Sequence, residues 1–447
     1  MPDNRKLSSL EGAMEILNRR AKTWNIVTIS RIKGNLQEAV LRQALHILQY
    51  RHPRLNSCII HFRNNFYFQT AGTNRIALKI VHDLPEKQWT QIVNQEMNQE
   101  IDSSKCLLRV VLVHILHESN LNYLITTIHH AISDGLSSIQ LQSEILNYCQ
   151  QISSGETLKP VTTLEALPPI EKLLPKNTQG WIGKISNIIF LLKMGILKLY
   201  HQPKTLGFGK YTPIHKRQSE LIHRQLDAEF TQMFIQRCKQ EETTIHSALC
   251  AVLMLTVTKE ILQFQQKNMR VNCLSYLDLR KRVQPPISEE NLAILATSLM
   301  GFYTIKTHTS FWELAREVKQ NLEVNIKHGD IFNMILVAKH LINICLLFPQ
   351  QVAATVSVSN LGKVNIPNAY GELELEEISF AGSHALYAGM FILHAATFQE
   401  KMLLNFVFSQ PGISREAMEC LVDQTIDNIL DISSDSLQLT GIYNNLL

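Results

Sequence analysis

The sequence lacks the charge asymmetry that nucleic-acid-binding proteins show. Its 447 residues contain 43 Lys and Arg against 39 Asp and Glu, which gives a net charge of +4. Nucleic acid recognition normally needs a basic patch, often with aromatic side chains between the cations, and the chain has no such cluster. With 45% hydrophobic and 18% charged residues, the composition is that of a soluble globular protein, and nucleic acid is not a predicted partner.

Paired cysteines and an export signal are also missing. The eight cysteines include no Cys-x-x-Cys pair, and several of them lie within apolar runs. Such cysteines are typical of reduced, buried positions in a cytoplasmic protein, not of disulfides or zinc ligands. The segment from Met1 to Lys6 has no apolar core of a signal peptide. We therefore predict a cytoplasmic protein.

The most informative part of the chain runs from Leu121 to Cys149. Residues 123–128 are rich in β-branched and aromatic side chains, which favours a strand. From Leu136 onward, apolar residues cover more than one side of a helix, which indicates a buried helix. Between these elements, residues 129–135 read His-His-Ala-Ile-Ser-Asp-Gly, with the Asp and Gly placed to end a tight turn and begin the helix.

The residues of this turn leave more than one interpretation open. The turn is either a structural loop whose polar groups satisfy buried backbone atoms, or it presents a catalytic base at the end of a buried strand. A metal site is a third option, because His and Asp are both metal ligands. Adjacent strand residues such as His129 and His130 point to opposite faces, however, and no further His or Cys stands nearby at ligand spacing. A metal site is not predicted.

The whole pattern His-His-x-x-x-Asp-Gly is more specific than its parts, with a chance frequency on the order of one in a thousand for such a chain. It resembles the signature of the superfamily of condensation domains and CoA-dependent acyltransferases. That superfamily includes nonribosomal peptide condensation domains, chloramphenicol acetyltransferase relatives, plant BAHD enzymes, wax ester synthases and phthiocerol dimycocerosyl transferases.

Other segments extend the resemblance over roughly residues 40 to 365. Residues 51–55 match an Arg-His-Pro-x-Leu segment of the superfamily, and residues 107–112 match its Leu-x-Arg-Val-x-Leu strand, which should form a hairpin with 121–129 through residues 118–120. Asp278-Leu279-Arg280 matches its Asp-Leu-Arg segment. Residues 359–362, Ser-Asn-Leu-Gly, match the Ser-Asn-x-Gly of the phthiocerol dimycocerosyl transferase and alcohol acetyltransferase branch, whereas the BAHD motif Asp-Phe-Gly-Trp-Gly is absent.

The resemblance implies an α/β fold of two chloramphenicol-acetyltransferase-like halves. Each half would have a mixed sheet flanked by helices, with an active-site channel between the halves. The chain fits this plan, because residues 151–180 hold four of its fourteen prolines and read as a linker. We predict an N-terminal half at 1–175, a linker with an apolar segment at 176–214, and a C-terminal half at 215–447.

The resemblance also implies residue roles. The superfamily carries catalysis on its second histidine, here His130, so that His129 would face away and serve packing. Asp134 has the appearance of a third triad member, but the resemblance implies that its carboxylate turns away and pairs with Arg280. That pair would hold the His130 loop against the second half of the chain.

Three further residues receive weaker assignments from the same resemblance. Gly135 would let the backbone approach the substrate channel closely. Ser359 or Asn360 could donate a hydrogen bond to the oxyanion of a tetrahedral intermediate, although packing at the end of a strand explains them equally well.

The predicted function is that of a freestanding acyltransferase. It would move an acyl group from a CoA or acyl-carrier-protein thioester to a hydroxyl group by direct general-base catalysis, with the thioester as co-substrate and no separate cofactor. A covalent acyl-enzyme would need an activated Ser or Cys, and the chain has no Gly-x-Ser-x-Gly motif. The alternatives are a freestanding condensation protein that forms an amide from carrier-bound substrates and a catalytically silent homologue that binds carrier proteins. A monomer is expected.

Residues 181–200 are mainly apolar and long enough to suggest a membrane span. Lys184, Lys193 and Lys198 argue against a span, because each would be costly in hydrocarbon. We predict a helix packed on the protein, with weak contact to a membrane surface as the alternative. The apolar character also favours a lipid as the acceptor.

Overall fold

A computed structural model describes residues 4–22, 24–70, 72–116, 118, 120–155, 160–178, 180–207, 211–262 and 268–433. The strands are β1 (Arg5–Lys6), β2 (Asn25–Lys33), β3 (Ser57–Phe62), β4 (Asn65–Thr70), β5 (Ala77–Leu84), β6 (Leu108–Ile115), β7 (Leu121–His129), β8 (Gln218–Leu226), β9 (Asn268–Asp278), β10 (Ala296–Lys306), β11 (Val356–Lys363), β12 (Ala369–Tyr370), β13 (Leu373–Gly382), β14 (Phe391–Phe398) and β15 (Lys401–Gln410). The helices are α1 (Ser9–Ala21), α2 (Glu38–Arg51), α3 (Trp89–Asn98), α4 (Gly135–Ser153), α5 (Gly180–His201), α6 (Ala228–Gln240), α7 (Ile245–Leu262), α8 (Phe311–Lys327), α9 (Asp330–Leu347) and α10 (Arg415–Ser433).

The chain divides into two compact units that are not contiguous in sequence. The first comprises the residues up to Pro175 together with Asp278–Ala296 and Val364–Ser383. The second comprises Lys176–Leu277, Thr297–Lys363 and the residues from His384 onward. The sequence analysis assigned all of 215–447 to the C-terminal half. Two segments of that range, 278–296 and 364–383, return to the first unit instead, which corrects the predicted division.

The first unit is built around a six-stranded mixed sheet with the order β12-β13-β2-β7-β6-β5. All nine residues of β7 are buried, as expected for a strand covered on both faces. β6 and β7 are antiparallel, with Leu112 opposite Leu124, which confirms the predicted pairing of these two strands. Ser119, which belongs to the predicted turn between them, lies outside the described residues. β13 pairs with the free edge of β2, with Ile378 opposite Ser30, and this ladder explains why 364–383 joins the first unit. A smaller sheet has the order β1-β4-β3.

The second unit has its own six-stranded sheet, with the order β10-β9-β11-β14-β15-β8. β11 runs parallel to β9 and β14, whereas β14, β15 and β8 are antiparallel, so this sheet is also mixed. The apolar helix α7 packs against β11. Both units thus have the mixed sheets with flanking helices that the sequence predicted.

Residues 181–200 form a helix as predicted, and this helix, α5, packs against α9. Among the described residues, α9 alone is long and apolar enough by itself to cross a membrane, and 39% of that stretch is buried inside the protein. The pair α6 and α7 meets the same criterion only when it is joined across a bend of 98°. Core helices of soluble proteins commonly meet this criterion, so length and composition do not argue for a span.

Candidate active site

The histidine turn begins where the central strand of the first sheet ends. β7 finishes at His129, whose backbone amide still donates to the carbonyl of Leu107 at 2.9 Å. The amide of Ile132 then donates to the carbonyl of His129 at 3.0 Å, which closes a turn, and α4 begins at Gly135. The structure therefore has the strand, turn and helix that the local sequence pattern predicted, and His130 is the first residue beyond the strand.

His130 is held in one tautomer by the turn that carries it. Its Nδ1 lies 2.6 Å from the carbonyl oxygen of Ser133. Because a carbonyl only accepts, Nδ1 of the neutral ring carries the proton and Nε2 keeps its lone pair. Burial lowers the pKa of the ring, against the opposite effects of the Ser133 carbonyl and the Asp134 charge. His130 is therefore neutral near neutral pH, the form that a general base requires.

An indole ring packs against this imidazole. The rings of Trp24 and His130 stack with their centroids 5.9 Å apart and their planes 22° from parallel. Trp24 precedes β2 with a φ of 67°, and its backbone amide donates to the carbonyl of Ser383 at 2.9 Å. The ring contact and the short bond to Ser133 together restrict the orientation of the His130 side chain.

His129 has a different environment although it is the neighbouring residue. It is fully buried, and its Nδ1 accepts the backbone N–H of Ala131 at 3.1 Å. The proton of the neutral ring is therefore on Nε2, which lies 3.0 Å from Oε2 of Glu15. With one nitrogen accepting and the other facing a carboxylate, His129 has the surroundings of a structural residue.

Glu15 is the buried carboxylate beneath His129, and it is held by several donors. It lies on α1, accepts the hydroxyl of Ser103 at 2.8 Å and pairs with Arg19. Burial raises the pKa of this carboxyl, but His129, Arg19 and Ser103 together lower it below its ordinary value. Glu15 therefore stays ionised at neutral pH and ties α1 to the end of β7.

Asp134 is the N-cap of α4 and accepts four hydrogen bonds. Its Oδ1 accepts the amide of Ser137 at 2.9 Å and Nη2 of Arg280 at 2.9 Å. Its Oδ2 accepts Nη1 of Arg280 and the amide of Leu295, both at 2.9 Å. Burial raises the pKa of this carboxyl, but the Arg280 charge and these hydrogen bonds outweigh it and lower the pKa. The carboxylate is therefore ionised and fully occupied.

This arrangement decides between the two interpretations of Asp134. A triad member would accept a hydrogen bond from Nδ1 of His130. That nitrogen instead donates to the Ser133 carbonyl, and the Asp134 oxygens are taken up by Arg280 and two backbone amides. Asp134 is thus the partner of Arg280, as the family resemblance implied.

The position of Arg280 in the fold corrects one expectation. The pair with Asp134 was expected to join the two halves, but Arg280 belongs to the returning segment Asp278–Ala296 of the first unit. That segment is held by hydrogen bonds from Leu279 to the Leu295 carbonyl and from Gln284 to the Leu173 carbonyl, both 2.8 Å. Arg280 is buried and also donates to Ser137 Oγ at 2.6 Å and to Asp278 Oδ1 at 2.8 Å. The ion pair therefore fastens the histidine turn within its own unit.

The remaining candidate residues fall in two places. Gly135 is the buried first residue of α4, and its carbonyl accepts the hydroxyl of Ser138 at 2.9 Å. Ser359 and Asn360 are half-buried on β11 of the second unit. The side-chain oxygen of Asn360 accepts the amide of Gly362 at 2.9 Å. The first unit therefore brings together five of the predicted site residues: His129, His130, Asp134, Gly135 and Arg280. A hydrogen bond from Ser359 or Asn360 to an oxyanion stays a prediction.

Four residues around the histidine turn were not identified from the sequence. Glu15 and Arg19 have the i,i+4 spacing that is typical of an exposed ion pair on a helix, so this spacing did not indicate that Glu15 is buried. Trp24 lies immediately before β2, and nothing in the local sequence indicates that its ring contacts a histidine. Ser137 alone had a usable signal, because the third residue after an N-cap is where the capped amide lies.

Two family models match separate stretches of the chain. The condensation domain model matches residues 13–163, and the model of the phthiocerol/phthiodiolone dimycocerosyl transferase C-terminus matches residues 216–409. The chain belongs to the superfamily of condensation domains and CoA-dependent acyltransferases. The second match agrees with the branch that the Ser-Asn-Leu-Gly segment at 359–362 indicated.

Solved structures with the same fold include proteins of several activities. The trichothecene 15-O-acetyltransferase from Fusarium sporotrichioides has a TM-score of 0.76 at 12% identity, over 96% of this chain and 95% of that one. Polyketide synthase associated protein 5 from Mycobacterium tuberculosis has a TM-score of 0.68 at 15% identity, over 96% and 98%. The first condensation domain of the calcium-dependent antibiotic synthetase has a TM-score of 0.73 at 11% identity, over 97% and 96%. At these identities the likeness concerns the fold.

A curated relative matches a shorter stretch. The hybrid PKS-NRPS synthetase ucsA of Acremonium sp. is 29% identical over 139 residues, which cover 31% of this chain and 3% of that protein. The matched stretch corresponds to a small part of that relative, so the substrates of the relative are not assigned to this chain.

Proposed function

We propose that this protein is an acyltransferase that moves an acyl group from a thioester to a hydroxyl acceptor, with His130 as the general base. The observation that carries the proposal is the state of the His130 ring. Nδ1 of His130 donates its proton to the Ser133 carbonyl oxygen, which lies 2.6 Å away, and burial lowers the pKa of the ring. Such a ring offers an unprotonated Nε2 at neutral pH, and general-base help of this kind is typically worth ~10²–10⁴-fold in rate.

The proposed reaction is a direct transfer. Nε2 of His130 takes the proton from the acceptor hydroxyl while the acceptor oxygen forms a bond to the thioester carbon. The C–S bond of the tetrahedral intermediate then breaks, and the proton passes from Nε2 to the leaving thiolate. The transient imidazolium is favoured by the Ser133 carbonyl and by the Asp134 charge, both of which act to raise the pKa of the ring. Holding donor and acceptor together supplies much of the remaining rate.

The competing mechanism is a covalent acyl-enzyme. The hydroxyl of Ser133, which lies in the same turn as the base, is buried and donates to the carbonyl of Asp134 at 3.0 Å. A thiol–imidazole pair does occur on α7, where Cys250 Sγ lies 3.6 Å from Nε2 of His246, but Cys250 is fully buried in the second unit. These surroundings favour direct transfer.

Intact-mass measurement after mixing with an acyl donor alone separates the two mechanisms. Direct transfer leaves the mass of the protein unchanged, in the wild type and in Cys250→Ala alike. A stoichiometric adduct that an acceptor alcohol releases would overturn direct transfer. Its loss in Cys250→Ala would then identify the nucleophile.

Two alternative functions compete with this proposal, and the observations favour only one of them. The match to a condensation domain over 13–163 favours a protein that forms an amide between carrier-bound substrates. A catalytically silent homologue that only binds carrier proteins is opposed by the intact His130, Asp134 and Gly135. The acyl donor is thus proposed to be CoA or an acyl carrier protein, and the acceptor an alcohol, with a lipid alcohol favoured by the apolar segment 181–200.

Turnover measured with a panel of donors and acceptors tests the proposal. Acyl-CoAs and acyl carrier proteins are each combined with alcohols and with amines, and thiol release is recorded beside product formation. We expect thiol release that depends on an alcohol and yields an ester. Amide as the main product would favour the condensation reaction, and the absence of turnover with every combination would favour the silent homologue. A cytoplasmic monomer remains a prediction that this assay does not address.

A further inference from the structure

In the part of the chain that the structure describes, helix α5 packs on the rest of the second unit through one face. Phe190 on that face is buried, and Ser186 Oγ donates to Asn333 Oδ1 of α9 at 3.2 Å. Lys193 Nζ lies 2.9 Å from Asp330 Oδ2, also on α9. At the C-terminal end, the His201 ring stacks on Phe302 at 5.1 Å between centroids. These contacts hold one side of α5 against the protein, so the opposite side of the helix faces away from α9.

The opposite face of α5 is apolar and exposed. Its large side chains are between 47% and 75% exposed, which is unusual for so many apolar residues on one helix. At about 100° per residue they all fall within an arc of about 120°. We call this set the apolar stripe; its members are Trp181, Ile185, Ile188, Ile189, Leu192, Ile196, Leu199 and Tyr200.

Lysines lie on both flanks of the apolar stripe. Relative to Leu192, Lys193 is displaced by about 100° to one side, and Lys184 and Lys198 by about 80° and 120° to the other. Long lysine side chains at such positions can reach lipid headgroups while their stems stay beside apolar surface. Lys184 and Lys198 are therefore placed as an interfacial helix requires, whereas Lys193 is paired with Asp330.

The sequence around α5 carries charge of one sign only. No Asp or Glu occurs from residue 172 to residue 219. The same stretch contains nine cations: Lys172, Lys176, Lys184, Lys193, Lys198, Lys204, Lys210, Lys216 and Arg217. Among those that the structure describes, Arg217 alone is buried. Arg270 adds a further cation at the end of α5, where it donates to the Tyr200 carbonyl at 2.7 Å. This segment is complementary to a negatively charged surface, although the chain as a whole is nearly neutral.

We propose that α5 lies on the surface of anionic membranes, with the apolar stripe in the region between headgroups and acyl chains. A helix of this length, about 33 Å, would lie parallel to the membrane plane. Trp181 and Tyr200 are residue types that favour the membrane–water interface, and each lysine near an anionic surface adds attraction that salt weakens. This inference does not rest on the proposed acyl transfer.

A second copy of the chain is the principal competing occupant of the apolar stripe. In a two-fold dimer through α5, the flanking lysines of one copy would face those of the other. Asp330 pairs with Lys193, but residues 172 to 219 contain no Asp or Glu that could neutralise Lys184 and Lys198. A bilayer with anionic headgroups supplies both an apolar phase and negative charge, so it fits the segment better.

Flotation of the full chain with vesicles tests the proposal. We expect binding to vesicles that contain phosphatidylserine, and much weaker binding to vesicles of phosphatidylcholine alone. Raising the salt from about 0.1 M to 1 M, which shortens the Debye length from about 10 Å to 3 Å, should reduce the binding. Leu192→Glu should reduce it by about tenfold or more, because a buried Leu contributes at least that much to partitioning. Lys184→Gln with Lys198→Gln should reduce it by about thirtyfold and make it less sensitive to salt.

Matched variants exclude indirect effects. Tyr50→Glu changes an equally exposed apolar residue on α2, 61% exposed, and should bind vesicles as the wild type does. His130→Ala should also bind normally, so that a failure of the catalytic proposal does not affect this test. No binding to anionic vesicles, or equal binding by Leu192→Glu, would overturn the proposal. Light scattering that shows a dimer without lipid, lost in Leu192→Glu, would identify the apolar stripe as a subunit interface instead.

Discussion

His129 and His130 are the same residue type at adjacent positions, yet the fold gives them opposite proton positions. His129 carries its proton on Nε2, because Nδ1 accepts from Ala131, whereas His130 carries its proton on Nδ1, against the Ser133 carbonyl. The alternation of side chains at the end of β7 sends one ring toward α1 and Glu15 and leaves the other beside Trp24. The chemistry assigned to the pair therefore follows from strand geometry.

Replacing each histidine separately should have different consequences. His130→Ala should lower turnover by about 10²-fold or more and leave the unfolding curve close to that of the wild type, because it removes the base. His129→Ala should mainly lower the free energy of unfolding, because it leaves Glu15 without its imidazole partner. Steady-state kinetics and chemical unfolding of both variants test this. Equal losses of turnover with superimposable unfolding curves would contradict the assignment of His130.

The pH dependence of turnover should report the lowered pKa of His130. A general base works in its unprotonated form, so kcat/KM should fall as the pH drops through that pKa. Since burial lowers the pKa from the ordinary 6.5, we expect the acid limb of the profile below pH 6.5 and a plateau from there through neutral pH. An acid limb centred above pH 6.5 would show that the ring is more basic than its surroundings indicate.

At the scale of elements, the start of α4 is fixed from three directions. Asp134 caps the helix through Ser137, receives the guanidinium of Arg280 and accepts the amide of Leu295. The N-cap and the strand before it were predictable, because both depend on local spacing. The segment 278–296 that supplies Arg280 and Leu295 was not assigned to this unit, because periodicity along the chain does not state which sheet a strand or loop packs against.

A double-mutant cycle on Asp134 and Arg280 measures the strength of this connection. Both side chains are buried, so Arg280→Ala should cost ~3–5 kcal/mol of unfolding free energy, because it leaves Asp134 as an unpaired buried charge. Asp134→Ala should cost less, because Arg280 keeps its ion pair with Asp278. The double variant should cost clearly less than the sum. Asp134→Asn, which can still cap the helix, should recover about 1 kcal/mol relative to Asp134→Ala.

The exposed pair of Arg42 and Glu38 on α2 is the control for that cycle. Both side chains are about half exposed, and breaking such a pair should cost less than about 1 kcal/mol. Strictly additive losses for Asp134 and Arg280 would show that the two residues do not stabilise each other. Turnover that falls only in proportion to the folded fraction would indicate that the pair acts through stability alone, whereas a larger fall would indicate that it also positions the histidine turn.

At the scale of the whole molecule, two buried carboxylates link stability to pH. The folded-state pKa values of Glu15 and Asp134 are both lowered below the ordinary 4.5 and 3.8. Each carboxylate therefore contributes stability that is complete above its ordinary pKa and is lost as the pH falls through its lowered folded-state pKa. The advantage of the wild type over Glu15→Gln in unfolding free energy should be constant near neutral pH and should shrink below pH 4.5. Denaturant unfolding over a pH series checks this, and a difference that grows toward acid pH would reverse the sign of the expected linkage.

The return of β13 to the first sheet has a consequence for how the protein is made. β2 lies between β7 and β13, so its edge stays unpaired until residues 373–382 leave the ribosome, more than 300 residues after β2 itself. At about 5–20 residues per second, that interval lasts tens of seconds. During it the nascent chain presents an open β edge, which is a template for pairing with other chains. Synthesis of this protein should therefore depend on chaperones that shield that edge until the last strands of the sheet arrive.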